Sequence, residues 1–177
     1  MSCDINIRLE KLNKEGNWET IDYFQPREDC KDSKKYHPDS FPFVPVDIYD
    51  DRDYELFGIL AGVRCTCSEI IAAPRGIPES ANHYIKSEFE TKKSWCHDAS
   101  YLTLGELRKT WYAHMEDEPK DEDGCDNVYV RLFYSIIKPI EKRLLDLHYV
   151  WSDTDIELEE DCRKYWDTVR IVFWFDS

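Results

Sequence analysis

No stretch of this 177-residue chain approaches the roughly 18 consecutive apolar residues that a membrane-crossing helix requires. The opening Met1-Ser2-Cys3-Asp4 has no basic segment leading into an apolar one, so no export signal is expected. Neither Gly-x-Gly-x-x-Gly nor the Walker-type Gly-rich run ending in Gly-Lys-Ser/Thr occurs, which removes both common phosphate-cradling loops. Positive charge is also scarce: 23 Lys plus Arg face 37 Asp plus Glu, a formal charge of −14 with the histidines neutral. Duplex recognition needs clustered Lys and Arg, so direct nucleic-acid binding is not expected of so acidic a chain. A small anionic ligand held in a local basic pocket remains compatible with that charge.

What is present is enough for a core. With 6 Trp, 11 Tyr and 8 Phe, the chain is too rich in aromatics to be disordered, and its length fits one domain, residues 1–177. Folding at this size removes about 70% of the unfolded chain's surface from water without needing staples. The seven cysteines, an odd number spread along the chain, read as reduced thiols of a cytoplasm rather than as a disulfide framework.

The patterning predicts an α+β fold. Residues 3–9 alternate, with Cys3, Ile5, Ile7 and Leu9 on one face and Asp4, Asn6 and Arg8 on the other, the signature of a half-buried strand. Lys14-Glu15-Gly16-Asn17 is a turn, and residues 18–24 read as the returning strand. Residues 25–47 contain Pro26, Pro38, Pro42 and Pro45 without helical period and read as a long irregular excursion. Asp50 to Asp53 are suited to open a helix carrying Tyr54, Leu56, Phe57, Leu60 and Val63, and a second, weakly amphipathic helix is expected over about 79–95. Thr103-Leu104-Gly105-Glu106 has the form of a capping box, placing a helix from there to about His114. Residues 115–127 form an acidic loop; 128–151 repeat apolar residues at helical spacing with a kink or restart near 138 set by Pro139; a short helix to Trp166 follows. Residues 168–176 are apolar on both faces, which predicts a central strand beside the N-terminal hairpin. The whole reads as a small, mainly antiparallel sheet built from both ends of the chain and packed with helices.

Several groupings could carry chemistry. Cys65-Thr66-Cys67 and Cys96-His97, with Cys30 and His37, hold soft ligands, but Cys-x-Cys lacks the usual zinc-site gap, so no metal or cofactor is assigned. Cys96 beside His97 brings nucleophile and base types together, although consecutive residues rarely face one another, and no catalytic residue is assigned. Acidic runs at 116–123 and 157–161 are the composition of solvated faces. Arg52, Tyr54, Arg64, Arg75, His97, Ser100 and Tyr101 lie at expected helix ends or adjoining turns. Arg forks grip phosphates and aromatic faces stack on bases, so this set is the candidate ligand-binding pocket. The plainer alternative pairs Arg52 and Arg64 with carboxylates or helix carbonyls and puts Tyr101 in the core.

Taken together, Asp51-Arg52-Asp53-Tyr54-Glu55-Leu56-Phe57, Ala61-Gly62-Val63-Arg64, Pro74-Arg75-Gly76-Ile77-Pro78, His97-Asp98-Ala99-Ser100-Tyr101-Leu102-Thr103 and Val169-Arg170-Ile171-Val172-Phe173-Trp174-Phe175-Asp176 resemble an uncharacterised family of bacteriophage and prophage proteins. Its members often read Asp-Arg-Asn-Tyr and His-Ser-x-Ser where this chain has Asp53 and Asp98. The resemblance implies a phage accessory protein acting in the host cell cytoplasm. On that basis the leading expectation is an anti-defence protein, not an enzyme, that sequesters an anionic nucleotide signal of host immunity. Arg52, Arg64 and Arg75 would take the phosphates, with Tyr54, His97 and Tyr101 around the base. The alternatives are an acidic inhibitor of a nucleic-acid-binding host defence protein and a metal-assisted phosphodiesterase using His97; a homo-oligomer is left open.

Overall fold

The computed structural model describes residues 3–21, 25–26, 43–44, 48–64, 69–114, 116–117, 126–146 and 162–177. Most of the 25–47 excursion and of the acidic loop, the Cys65 and Cys67 pair, and the region 147–161 lie outside the described residues. The fold is α+β, as the patterning predicts. Among the described residues, no helix is long and apolar enough to cross a membrane. The chain divides into two compact units: Met1–Arg52, Pro74–Tyr101 and Ile171–Ser177 make the first, and Asp53–Ala73 with Leu102–Arg170 the second.

In the first unit, β1 (Asp4–Leu12) turns at Gly16, whose φ of 84° suits glycine, and pairs antiparallel with β2 (Trp18–Thr20), Leu12 opposite Trp18. Two short strands, β3 (Gln25–Pro26) and β4 (Phe43–Val44), pair separately. The main sheet is antiparallel, in the order β2-β1-β6-β5, where β5 is Cys96–Thr103 and β6 is Val169–Asp176. Every residue of β6 from Val169 to Phe175 is buried, as a strand with neighbours on both edges and cover on both faces should be.

One expectation fails at β1. Cys3, Ile5, Ile7 and Leu9 are buried as the alternation predicts, but Arg8 and Glu10 on the opposite face are buried too. The cause is α2 (His83–Lys92), which lies over that face: Arg8 reaches Glu88 of the helix, and Glu10 accepts from the Asn82 N–H at 2.6 Å. Asn82 caps α2 with its own side chain, so one carboxylate fixes where the helix starts.

Strand β5 is the element that sequence periodicity misses. Cys96, Ala99 and Tyr101 pack on one cluster with Ile85, Val172 and Trp174, yet strict alternation would put residues 96 and 99 on opposite faces. Asp98, a non-glycine at φ 49°, is the extra residue of a bulge that restores Ala99 to the Cys96 face. His97, Ser100 and Tyr101 therefore sit in a strand, not at helix ends.

In the second unit, α1 (Tyr54–Ala61) is capped by Asp53, which accepts from the Glu55 and Leu56 N–H groups, and ends at Gly62 with φ 75°. Arg131 pairs with Asp53 at 2.6 Å and with Glu55. The capping box forms as expected, Thr103 and Glu106 each accepting from the other's N–H, and starts α3 (Leu104–Ala113). Beyond it, α4 (Val128–Leu132) widens into a π-helical turn, Phe133–Ile137, before α5 (Lys138–Asp146). Pro139 has no N–H for a carbonyl of the preceding turn and its ring crowds it; the wide turn is the restart predicted near 138. Leu132, Phe133, Ile136, Ile137, Ile140 and Leu144 form the buried side of this segment.

Candidate functional site

The segment Pro74-Arg75-Gly76-Ile77-Pro78 is held to β5 by the Gly76 N–H, which donates to the Ala99 carbonyl at 2.8 Å. Gly76 takes φ 76°, and the prolines flanking the segment limit the chain on either side. This geometry lays Arg75 on Tyr101: its guanidinium carbon is 5.4 Å from the ring centre, and its Nη1 donates to the Tyr101 carbonyl at 3.2 Å. Arg75 is exposed and Tyr101 half-buried, so the pair presents a flat cationic surface backed by an aromatic ring.

Next along the same segment is a cleft of about 410 Å³ lined by Ile77, Pro78, Glu79, Lys86, Phe89 and Glu90. Ile77, Phe89 and Tyr101 all pack on the buried cluster around Trp174, and Phe89 meets Trp174 edge to face at 5.6 Å. The cleft and the Arg75–Tyr101 pair thus share one buried foundation. Ile77, Pro78 and Phe89 supply the apolar walls and Glu79, Lys86 and Glu90 the charged part of the lining, a mixture of the kind small-ligand sites carry.

The other expected site residues are placed differently. Arg52 forks onto Asp4, with its Nη2 3.0 Å from the carboxylate and its Nε on the second oxygen. The hydrogen bond from Arg52 holds the Asp4 carboxyl below its ordinary range. Ser100 is fully buried. His97 stacks on Phe175, whereas Tyr101 packs with Trp174. Consecutive strand residues face opposite ways, so the sheet separates His97 from Tyr101, and one pocket shared by both is not formed. Tyr54 and Arg64 belong to the second unit, Tyr54 edge-on to Phe57 at 5.8 Å and Arg64 exposed with φ 62°. Of the seven residues, Arg75 and Tyr101 are brought into direct contact.

Cys96 packs on the Trp174 cluster while His97 stacks on Phe175, so Cys96 does not face His97. Burial, with the Asp176 charge nearby, pushes its thiol up to about 11. Among the described residues, no three His, Cys, Asp or Glu side chains are grouped to hold a metal ion. Lys86 and Phe89 escape a search for Arg and His clusters, although the apolar spacing of Tyr84, Ile85 and Phe89 marks the helix that carries them.

The second unit has its own cleft, about 490 Å³, lined by Ile59, Glu69, Ile70, Ile71, Thr110 and Tyr129. At its edge His114 lies flat on Tyr129, 3.7 Å between ring centres, with Nε2 3.0 Å from Glu69 and Nδ1 2.8 Å from Asp117. Carboxylates on both ring nitrogens make this a pinned, acidic surface. A scan against protein-family models and searches of curated proteins and solved structures return no match for the chain.

Proposed function

We propose that this protein is a non-enzymatic, phage-type accessory protein that sequesters an anionic nucleotide signal of host immunity at the Arg75–Tyr101 surface. The observation that carries the reading is the exposed Arg75, its guanidinium lying on Tyr101, beside a cleft with apolar walls that bears Lys86 together with Glu79 and Glu90. A base stacks on a guanidinium plane, Phe89 and Ile77 offer further apolar surface, and Lys86 supplies charge for a phosphate. A net charge of −14 disfavours long polyanions and leaves a small ligand as the fitting partner. The phage setting rests on the resemblance of the segments around Arg52, Arg75, His97 and Val169.

Native mass spectrometry of the purified protein with a panel of cyclic and linear nucleotides tests the reading. One nucleotide retained with unchanged mass is the expected result. Bare protein throughout overturns it, and a converted nucleotide replaces it with an enzyme. The charge of −14 also favours a second reading, an acidic inhibitor that occupies a nucleic-acid-binding groove on a host protein. Charge reversal at 116–123 abolishes inhibition in that case and leaves nucleotide retention untouched.

A further inference from the structure

Cys3 stands immediately before β1, and β6 separates β1 from β5 in the sheet. On the face that carries Phe175, the His97 ring lies over Phe175, 6.0 Å between centres and 25° from parallel, and so reaches across the middle strand. Its Nε2 comes within 3.8 Å of the Cys3 Sγ, and its Nδ1 lies 2.8 Å from the Asp98 carboxylate. A thiol, an imidazole and a carboxylate are thus in series, each ring nitrogen assigned to one neighbour. Asp98 holds its position at a cost: a non-glycine residue at φ 49° is strained by roughly 1 kcal/mol or more, and the bulge places that strain at the residue orienting the imidazole.

We propose that Cys3, His97 and Asp98 form a thiol–imidazole–carboxylate relay that makes Cys3 a nucleophile toward small, uncharged carbon electrophiles, acyl or alkyl donors. In the reaction Sγ bonds to the electrophilic carbon, and the bond from that carbon to its leaving group breaks, the leaving group keeping the electron pair. The thiol proton passes to His97 Nε2 while Asp98 accepts from Nδ1–H, and the imidazole then gives the proton to the leaving group or to water. Asp98 is a positioning residue, since it touches only the base. The preference for small and uncharged reagents follows from burial: Cys3 is fully covered and the imidazole beside it is partly exposed, so a charged reagent would have to shed its water to reach the sulfur. The relay is independent of the nucleotide reading, because it lies on the opposite face of β5 from Tyr101.

The test is timed alkylation of the native full chain with iodoacetamide at neutral pH, read cysteine by cysteine by peptide mass spectrometry. Cys96, the raised thiol next in sequence to His97, is the internal reference. Cys3 is expected to label about 100-fold faster than Cys96, and His97→Gln to remove that advantage while Cys96 is unchanged. Asp98→Asn should slow Cys3 less and displace its pH profile, a change that a purely structural role would not give. Iodoacetate should trail iodoacetamide at Cys3. The wild-type pH profile needs no variant: a Cys3 rate that levels off near neutrality supports the relay. A rate that climbs through the ordinary thiol range near about 8.5 overturns it. So does labelling of Cys3 only after unfolding in guanidinium, or at an equal rate in a folded His97→Gln protein.

Discussion

Arg8 and Glu88 are joined by two parallel hydrogen bonds of 2.8 and 2.7 Å, with the two side chains only 1% and 0% exposed. Arg8 also lies 5.4 Å from the Trp174 ring and donates to the Ile7 carbonyl at 2.8 Å. The second unit repeats the device: Arg108 forks onto Glu141, both fully buried, with the Arg108 guanidinium against Trp111 and Phe133. Each unit therefore encloses a bidentate ion pair roofed by aromatic rings. Such a pair adds little over a well-packed apolar substitute, but half of one leaves a stranded charge.

Glu88→Gln should accordingly cost about 3–5 kcal/mol, and Arg8→Met with Glu88→Leu together should recover most of that loss, measured by denaturant unfolding. The pair also sets an acid limit. Burial pushes the Glu88 carboxyl up, but the hydrogen bond and charge of Arg8, helped by Lys92, outweigh it and hold the group below its ordinary 4.5. A depressed native value contributes stability above 4.5 that is lost as pH falls through the lower native value. The unfolding midpoint should fall on acidification in the wild-type protein and fall less in the double variant.

Much of this architecture is legible in the sequence, and the misses have physical causes. The alternation at Cys3 to Leu9, the two-sided apolar run of β6 and the Thr103 capping box are strong periodic or local signals, and all three elements form. Strand β5 is hidden because the bulge at Asp98 shifts the phase of its side chains halfway along. The burial of Arg8 cannot be read locally, since the carboxylate that receives it comes 80 positions later. The candidate site suffers from the same cause. Residues grouped because they lie at expected helix ends or turns are dispersed, His97 and Tyr101 to opposite faces of β5, Arg52 to Asp4, and Tyr54 and Arg64 to the second unit, while Cys3 and His97 meet only through long-range pairing.

Thr103 closes β5 and caps α3 at once. Thr103→Ala should lower stability by about 1 kcal/mol, and Thr103→Ser, which keeps the hydroxyl that accepts from the Glu106 N–H, should restore most of it in thermal unfolding.

Gly62 separates backbone strain from crowding. A Cβ there would meet Ile70 Cδ1 at 2.8 Å, but that atom ends a flexible, exposed side chain and can move away. The φ of 75° cannot be relieved so easily, so Gly62→Ala should cost about 1–2 kcal/mol. Gly16→Ala, at φ 84° with open space around it, should cost nearly as much. Adding Ile70→Ala to Gly62→Ala should recover little, and Gly62→Asn should be the mildest change.

The two arginines of the expected pocket should part company. Arg52 and Asp4 form an exposed pair, each half open to solvent, so Arg52→Ala should change stability by less than about 1 kcal/mol and leave nucleotide retention intact. Arg75→Ala should weaken retention of the nucleotide identified by native mass spectrometry by about tenfold or more, read by titration calorimetry.

The placement of β6 between β1 and β5 governs how the protein comes into being. The strand that closes the inner edge of β1 supplies Asp176 to Asn6 from 170 positions further along the chain. During synthesis, a strand with an apolar face and a row of unused backbone groups therefore waits for its neighbour until those positions have been added. The eight residues of β6 act as a latch on the first unit, so ribosomal pausing or proteolytic loss within them would leave β1 with an open edge.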